Sequence, residues 1–289
     1  MTINAVALDM DGTLLDQDSS VNSKLADILF RMQQRKIKIF VATGRTHTEV
    51  IDVIPADLHL DGIVSSNGAG CYAGDKKIVH HTLEQDIVKE VISAARKNGL
   101  YYEIHSTKGP RFALAADQTG MENEVNQTKP ATLQENEYIS RKMALAYKIH
   151  WVDHIVTENV VKIYFFSRDC EKMKDWKAQL SRMRNKMNFS ISSSSSHNAE
   201  IAVNHVSKAT GLRLLLDEYG LSPAELMAVG DSENDLPMFE LAGYSVAMKN
   251  AMDFVRNQAD EVTKYPYYED GLYHFLLEKF FGIIKNRRN

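Results

Sequence analysis

The sequence predicts an α/β protein with a doubly wound parallel sheet and a second, inserted domain. Apolar runs alternate with helix-spaced apolar residues near both ends of the chain, which is typical of a parallel sheet covered by helices. The middle of the chain has strand-like runs joined by a short turn, which indicates an antiparallel α+β unit. Polar clusters directly follow several apolar runs, at the sheet edge where open α/β sheets form their sites.

The first part of the chain alternates strands with helices. Apolar runs predict strands at 3–8, 37–42 and 62–65. Apolar residues recur at helical spacing over 25–32, behind a possible cap at Asn22 or Ser23. A second helix covers 46–53, since Pro55 prevents its continuation. Together these elements predict the first half of a Rossmann-like core.

The middle and the end of the chain complete the predicted domain organisation. In the middle, helices are predicted at 84–97 and 171–184, with strands at 101–106, 111–116, 160–167 and 189–193. A helix at 208–219, ended by Gly220, then restores the parallel pattern, followed by strands at 226–229, 244–247 and 261–263. The predicted core therefore comprises 1–83 and 196–289, and the inserted α+β domain comprises 84–195. The predicted crossings lie near 81–83 and 194–197, where the run of serines 192–196 is read as a polar strand end or hinge.

Composition narrows the function classes. The net charge of −4 and the pI near 6.2 give no indication of nucleic-acid binding. Two distant cysteines, Cys71 and Cys170, favour a reducing compartment over a disulfide framework. No apolar run approaches the roughly 20 residues that span a bilayer, and no secretory signal is evident at the N-terminus. The expectation is a cytoplasmic protein without a membrane partner, whose oligomeric state the sequence does not indicate.

The first chemical motif is Asp9-Met10-Asp11-Gly12-Thr13, directly after the first predicted strand. Two carboxylates at one strand end repel each other, and a divalent cation is the usual means of offsetting that repulsion. A carboxylate held by a metal can also attack phosphorus. The structural alternative is a polar exit from the strand, because Asp-Gly is common in turns.

Two further motifs can hold a phosphate. Thr43-Gly44-Arg45 follows the second strand and offers a hydroxyl and backbone N–H groups, although Thr43 can also be a simple helix cap. Lys208 lies in the first turn of a helix, where a cation is unfavourable unless an anion is close. The alternative for Lys208 is a solvated surface lysine.

The second acidic cluster is Gly230-Asp231-Ser232-Glu233-Asn234-Asp235. Its hard oxygen donors suit Mg²⁺, whereas a capping role explains only one of its polar residues. All four motifs follow predicted parallel strands or begin helices, so they are expected to meet at one edge of the sheet.

The order and identity of these motifs resemble the haloacid dehalogenase superfamily of phosphatases, and more closely its Cof-type subfamily with an α/β cap. Ser66-Asn67-Gly68-Ala69 and Glu269-Asp270-Gly271 also resemble subfamily features. The chain departs from the family around the motif lysine. It has Lys208-Ala209-Thr210-Gly211 where Lys-Gly is frequent, and Asn204-His205-Val206 in the place of a usual glycine.

The resemblance implies a role for each motif residue. Asp9 would attack phosphorus and form an aspartyl phosphate, and Asp11 would act as acid and then as base. Asn234 would orient Lys208 or the phosphate. The residues implied to bind phosphate or substrate are Thr43, Gly44, Lys208, Asn234 and Asn67. Those implied to bind Mg²⁺ are Asp9, Asp11 through its main-chain carbonyl, Asp231 and Asp235. Asp235 would either ligate the ion directly or contact the residues that ligate it.

The resulting hypothesis is a Mg²⁺-dependent phosphatase acting on a small phosphorylated metabolite such as a sugar phosphate. One alternative is a phosphotransferase or mutase on sugar phosphates. Another is a non-catalytic regulator that binds a phosphorylated ligand. The presence of both Asp9 and Asp11 argues against this alternative. The cap is expected to act as a lid that sets substrate choice. His105, Lys108 and Arg111 surround a predicted turn and either meet a charged substrate or form an ordinary solvated hairpin.

Overall fold

The computed structural model of the protein describes residues 2–107 and 109–282. Within them the chain forms two compact units. The core unit contains the residues up to His80 and from Val206 onward, and the inserted unit contains His81–His205. Lys108 of the predicted turn lies outside the described residues.

The strands and helices of the described residues are numbered here in chain order. The strands are β1 Ala5–Leu8, β2 Lys38–Ala42, β3 Gly62–Ser65, β4 Gly70–Ala73, β5 Lys76–His80, β6 Tyr101–Ser106, β7 Phe112–Leu114, β8 His150–Val152, β9 Val160–Phe166, β10 Phe189–Ser192, β11 Asn198–Val203, β12 Leu226–Gly230, β13 Tyr244–Ala247 and β14 Glu261–Val262. The α-helices are α1 Ser23–Gln34, α2 His47–Ile51, α3 Gln85–Lys97, α4 Gln118–Asn126, α5 Glu135–Met143, α6 Cys170–Arg184, α7 Lys208–Tyr219, α8 Leu236–Leu241, α9 Asp253–Arg256 and α10 Gly271–Phe281.

The core unit is built on an eight-stranded sheet in the order β14-β13-β12-β1-β2-β3-β4-β5. From β14 to β3 the neighbouring strands are parallel, and β4 and β5 add an antiparallel edge. Side chains of β1 alternate between two apolar clusters. Val6 and Leu8 pack with α1 and α10, whereas Ala5 and Ala7 pack with α7. Because helices cover both faces, the predicted doubly wound α/β core is confirmed.

The inserted unit has a six-stranded sheet in the order β10-β11-β9-β6-β7-β8. Its strand pairs are antiparallel except for β7 and β8. Val88 and Ile92 of α3 and Trp176 of α6 are buried in one apolar cluster with residues of the sheet. The predicted α+β character of the insertion is therefore confirmed.

The second boundary of the inserted unit differs from the predicted one. The prediction ended the insertion at residue 195, but strand β11 pairs with both β9 and β10 and so belongs to the same sheet. The serine run is therefore a turn within this sheet, where Ser194 N donates to Asn198 Oδ1 at 3.0 Å. The chain leaves the unit at His205, which adopts a left-handed φ of 61° within the segment Asn204-His205-Val206 that stands in place of the expected glycine.

His105 and Arg111, which flank the predicted turn of the inserted unit, are largely shielded from solvent. His105 is buried, and Arg111 donates to the fully buried Glu103 at 2.7 Å. Arg141 from α5 contacts the other carboxylate oxygen of Glu103. Burial alone would raise the pKa of Glu103, but Arg141, His105 and Arg111 outweigh it and hold that pKa well below its usual range. The alternative of an ordinary solvated hairpin was therefore wrong for His105 and Arg111, because both side chains lie against this buried carboxylate.

A tight backbone contact fixes the loop after β3 against the start of α7. Gly68 has a φ of 102°, and a Cβ at this position would lie 2.1 Å from the carbonyl oxygen of Ser207. Since Ser207 caps α7 immediately before Lys208, the contact sets where that helix begins. Only a residue without a Cβ can occupy this position without moving the helix.

We expect Gly68→Ala to lower the free energy of unfolding by about 1–3 kcal/mol or more, because it adds a backbone clash to left-handed strain. Gly74 is a matched control, since its φ is 53° but no atom lies within 4 Å of an added Cβ. Gly74→Ala should therefore cost only about 1 kcal/mol of backbone strain. Urea denaturation of both variants measures the difference, and equal losses would show that the contact with Ser207 carries no energy.

Candidate active site

The predicted site residues of the core unit lie at neighbouring strand ends. Asp9 follows β1, Thr43 follows β2 and Asp231 follows β12. Because β12, β1 and β2 are adjacent and parallel, their carboxyl ends share one edge of the sheet. Lys208 reaches the same place from the first turn of α7.

Lys208 is a fully buried lysine that contacts two carboxylates. Its Nζ donates to Asp9 Oδ1, and it donates to Asp235 Oδ1 at 2.6 Å. Burial alone would lower the pKa of Lys208, but the charges of Asp9 and Asp235 outweigh it and raise the pKa. Lys208 is thus a charged group in the interior, and the alternative of a solvated surface lysine was wrong.

Asp235 connects this lysine to the loop that follows β12. Its Oδ2 accepts hydrogen bonds from the backbone N–H groups of Asp231 and Ser232, each at 2.9 Å. Its Oδ1 accepts the bond from Lys208. One carboxylate therefore orders the loop that presents Asp231 and also holds the lysine beside Asp9.

The three carboxylates form a group that fits a divalent cation. One oxygen from each of Asp9, Asp231 and Asp235 lies within 4.8 Å of the others. Burial, together with the charge of Asp235, raises the pKa of Asp231 to about 6. Burial also raises the pKa of Asp9, against the opposing effect of Lys208. Hard oxygen donors that repel one another in this way are the donor set that Mg²⁺ prefers.

Gly12 leaves room for the Asp231 carboxylate. A Cβ at Gly12, whose φ is 83°, would lie 2.4 Å from Asp231 Oδ2. The loop after β1 and the loop after β12 can therefore approach closely only because residue 12 is glycine. This close approach brings the ends of the two acidic motifs together.

Asp11 is paired with Arg45, an arginine for which the sequence motifs predicted no role. Arg45 Nε donates to Asp11 Oδ2 at 3.0 Å, and Arg45 Nη2 donates to Asp11 Oδ1 at 2.6 Å. This two-point contact fixes the plane of the carboxylate, although the Asp11 side chain is 60% exposed. The feature of the sequence that could have identified Arg45 as a site residue was its position in the same short motif as Thr43.

The predicted phosphate-binding residues are also brought together. Thr43 is buried, and its Oγ1 accepts a hydrogen bond from Arg45 N at 3.1 Å. It is not the helix cap, since Thr46 caps α2. Asn234 Nδ2 donates to Asn67 Oδ1 at 3.1 Å, so its side chain contacts that amide. The resemblance had implied that Asn234 orients Lys208 or the phosphate.

A second residue without a predicted role, Asn250, contacts this group. Its Nδ2 donates to Asp231 Oδ2 at 3.0 Å. Asn250 follows β13 by three residues, at the same edge of the sheet as the other site residues. A polar residue after a parallel strand was the signal that could have identified it.

The arrangement as a whole places the buried carboxylate of Asp9 beside the buried cation of Lys208, together with a second carboxylate at Asp11 and a group of hard oxygen donors. A model of haloacid dehalogenase-like hydrolases matches residues 6–276 of the chain. The chain belongs to this family. The match spans both units and confirms the resemblance on which the residue roles were based.

Individual members of the family show how far the likeness extends. The chain is 28% identical over 272 residues to the 5-amino-6-(5-phospho-D-ribitylamino)uracil phosphatase YwtE of Bacillus subtilis, covering 91% of this chain and 93% of that protein. It is 27% identical over 274 residues to phosphatase YwpJ of the same organism, with 89% and 93% covered. A solved phosphatase structure from Bacteroides thetaiotaomicron has a TM-score of 0.69 at 28% identity, with 98% of this chain and 96% of that chain covered.

These likenesses confirm the prediction of a phosphoric monoester hydrolase in the haloacid dehalogenase superfamily. Among the described residues, none of the helices has the length and apolar character needed to cross a membrane.

The raised pKa of Asp231 predicts a pH-dependent stability of the metal-free protein. The folded state keeps this carboxyl protonated up to about pH 6, whereas the unfolded chain releases the proton near its ordinary value of 3.8. The folded state therefore binds more protons in between, and its stability must fall as the pH rises from about 4 through about 6.

We expect the melting temperature in EDTA to fall between about pH 4 and pH 6.5 in the wild type, and less in Asp231→Asn. Saturating Mg²⁺ should restore the wild-type melting temperature at the higher pH but have little effect on Asp231→Asn. Parallel pH profiles for the two proteins would contradict the assignment of the proton to Asp231.

Proposed function

We propose that this protein is a Mg²⁺-dependent phosphatase that hydrolyses a small phosphorylated metabolite through an aspartyl-phosphate intermediate. The observation that carries the proposal is the contact of Asp9 with the buried Lys208, within the carboxylate group that fits a cation. A buried nucleophile beside a fixed positive charge is suited to an incoming phosphoryl group.

In the first half-reaction an oxygen of Asp9 attacks phosphorus, and the bond between phosphorus and the leaving oxygen breaks. The proton that the leaving alcohol requires comes from the carboxyl group of Asp11. Lys208 keeps the carboxylate of Asp9 in place and offsets negative charge that develops on the transferred group. Mg²⁺, held by Asp9, the Asp11 carbonyl, Asp231 and Asp235, would supply further charge compensation.

In the second half-reaction water attacks the phosphorus of the aspartyl phosphate. Asp11, now ionised, takes a proton from that water, and the bond between phosphorus and Asp9 breaks to release inorganic phosphate. Arg45 donates to both carboxylate oxygens of Asp11 and so fixes the plane of this side chain for both half-reactions. Thr43, Gly44, Asn67 and Asn234 surround this chemistry as the proposed phosphate and substrate contacts.

The proposed substrate class is a phosphorylated sugar or polyol. The relative YwtE is named for a substrate that carries a phosphorylated ribityl chain, and the family match extends over the same motifs in this chain. The proposed cap domain corresponds to the inserted unit, residues 81–205, and we propose that it selects among such substrates.

A phosphate-release screen over phosphorylated sugars, polyols and nucleotides tests this function. Release should require Mg²⁺, should stop in EDTA, and should be abolished in Asp9→Asn because an amide cannot form the intermediate. Asp57→Asn, an exposed aspartate of the same unit, is the matched control and should retain full activity. Full activity after removal of all divalent cations would contradict the proposal.

Asp11→Asn is expected to separate acid catalysis from nucleophilic attack. Loss of the proton donor should lower the rate by about 10²–10⁴-fold on alkyl phosphates. The loss should be smaller on p-nitrophenyl phosphate, whose leaving group needs no proton. Values of kcat/KM on both substrates measure the difference, because they report the first half-reaction and not the hydrolysis of the common intermediate. An equal loss of kcat/KM on the two substrates would exclude Asp11 as the acid.

A further inference from the structure

Asn250 joins three separate segments of the core unit through one side-chain amide. Its Nδ2 donates to Asp231 Oδ2 and to the backbone carbonyl of Gly12, both at 3.0 Å. Its Oδ1 accepts a hydrogen bond from the backbone N–H of Tyr267 at 3.1 Å. The amide therefore links both acidic loops to the segment that precedes α10.

The partners of Asn250 determine the orientation of its amide. The NH₂ group faces two acceptors, the carbonyl oxygen of Gly12 and the carboxylate of Asp231, while the oxygen faces a donor. A flipped amide would place oxygen against two oxygens and NH₂ against an N–H group, so it would lose all three hydrogen bonds. The side chain is thus held in one orientation, because the two acceptors cannot donate and the backbone N–H group cannot accept.

This orientation restrains the Asp231 carboxylate through a hydrogen bond to its Oδ2. Asn250 holds Oδ2, and Ser232 Oγ donates to Oδ1 at 3.3 Å. The space left by the missing Cβ of Gly12 admits Oδ2 close to the loop after β1. A carboxylate whose rotamer is fixed before a metal binds loses little freedom on binding, and hydrogen-bond partners of metal ligands strengthen metal affinity in this way.

We propose that Asn250 is a positioning residue for the divalent cation, because it fixes the Asp231 carboxylate relative to the loop that carries Asp9 and Asp11. This inference rests on the proposed function of Asp231 as a metal ligand. It assigns a role to a residue outside the four motifs. Through Tyr267 it also makes the segment before α10 a support of the metal site.

Direct measurement of Mg²⁺ binding by calorimetry, without substrate, tests this role in the full-length protein. Asn250→Ala and Asn250→Leu should each raise the Mg²⁺ dissociation constant about 10–100-fold. At saturating Mg²⁺ both variants should recover most of kcat, with KM for the phosphorylated substrate near the wild-type value. This separation distinguishes metal positioning from a general loss of the site.

Asn22→Ala is the matched control, because Asn22 also donates from its side-chain amide, to Asp270, but it does not contact Asp231. Asn22→Ala should lower the free energy of unfolding because it removes the N-terminal cap of α1, and it should leave Mg²⁺ affinity unchanged. Unchanged Mg²⁺ affinity in folded Asn250 variants would overturn the inference. So would loss of the fold in both variants, since that would make Asn250 a structural residue.

Mg²⁺ binding by Asp231→Ala distinguishes failure of the proposed function from failure of the role of Asn250. If Asp231→Ala binds Mg²⁺ as tightly as the wild type, Asp231 is not a ligand and the metal assignment fails. If Asp231→Ala loses Mg²⁺ binding while both folded Asn250 variants retain it, the proposed function stands and only the role of Asn250 is refuted.

Discussion

One buried ammonium group holds the acidic residues of two strand ends together. Lys208 is fully buried and contacts both Asp9 and Asp235, so one positive charge compensates two carboxylates in the interior. Removing one member of a buried charge group leaves an uncompensated charge, which costs on the order of 3–5 kcal/mol. The ion pairs therefore constrain the start of α7 and the loops after β1 and β12 together.

The surrounding backbone is arranged to permit this contact. Gly68 allows the loop after β3 to lie against the start of α7, and Gly12 allows the two acidic loops to approach. Asp235 accepts from the backbone of the loop that carries Asp231, so Lys208 and this loop are ordered by the same carboxylate. The site is consequently organised before any phosphate or cation arrives, which reduces the reorganisation that binding requires.

Much of the site could be predicted because parallel strands bring their carboxyl ends to one edge. Asp9, Thr43 and Asp231 each follow such a strand, and this needs no knowledge of side-chain contacts. Asn250 and Arg45 were missed because their roles depend on partners distant in sequence, which a local pattern does not reveal. Strand β11 was missed because its polar residues and the preceding serines resemble a loop. The burial of Glu103 was missed because cations from separate elements compensate it.

The central claim is that Asp9 itself carries the phosphoryl group during turnover. Asp11→Asn should retain attack on p-nitrophenyl phosphate but hydrolyse the intermediate slowly, so the phosphoenzyme should accumulate. Acid quenching followed by peptide mass spectrometry locates the modified residue. The account predicts one phosphoryl group on the peptide that contains Asp9, absent when Asp9 is also replaced by asparagine. A phosphoryl group on another residue, or turnover without any phosphoenzyme, would contradict the account.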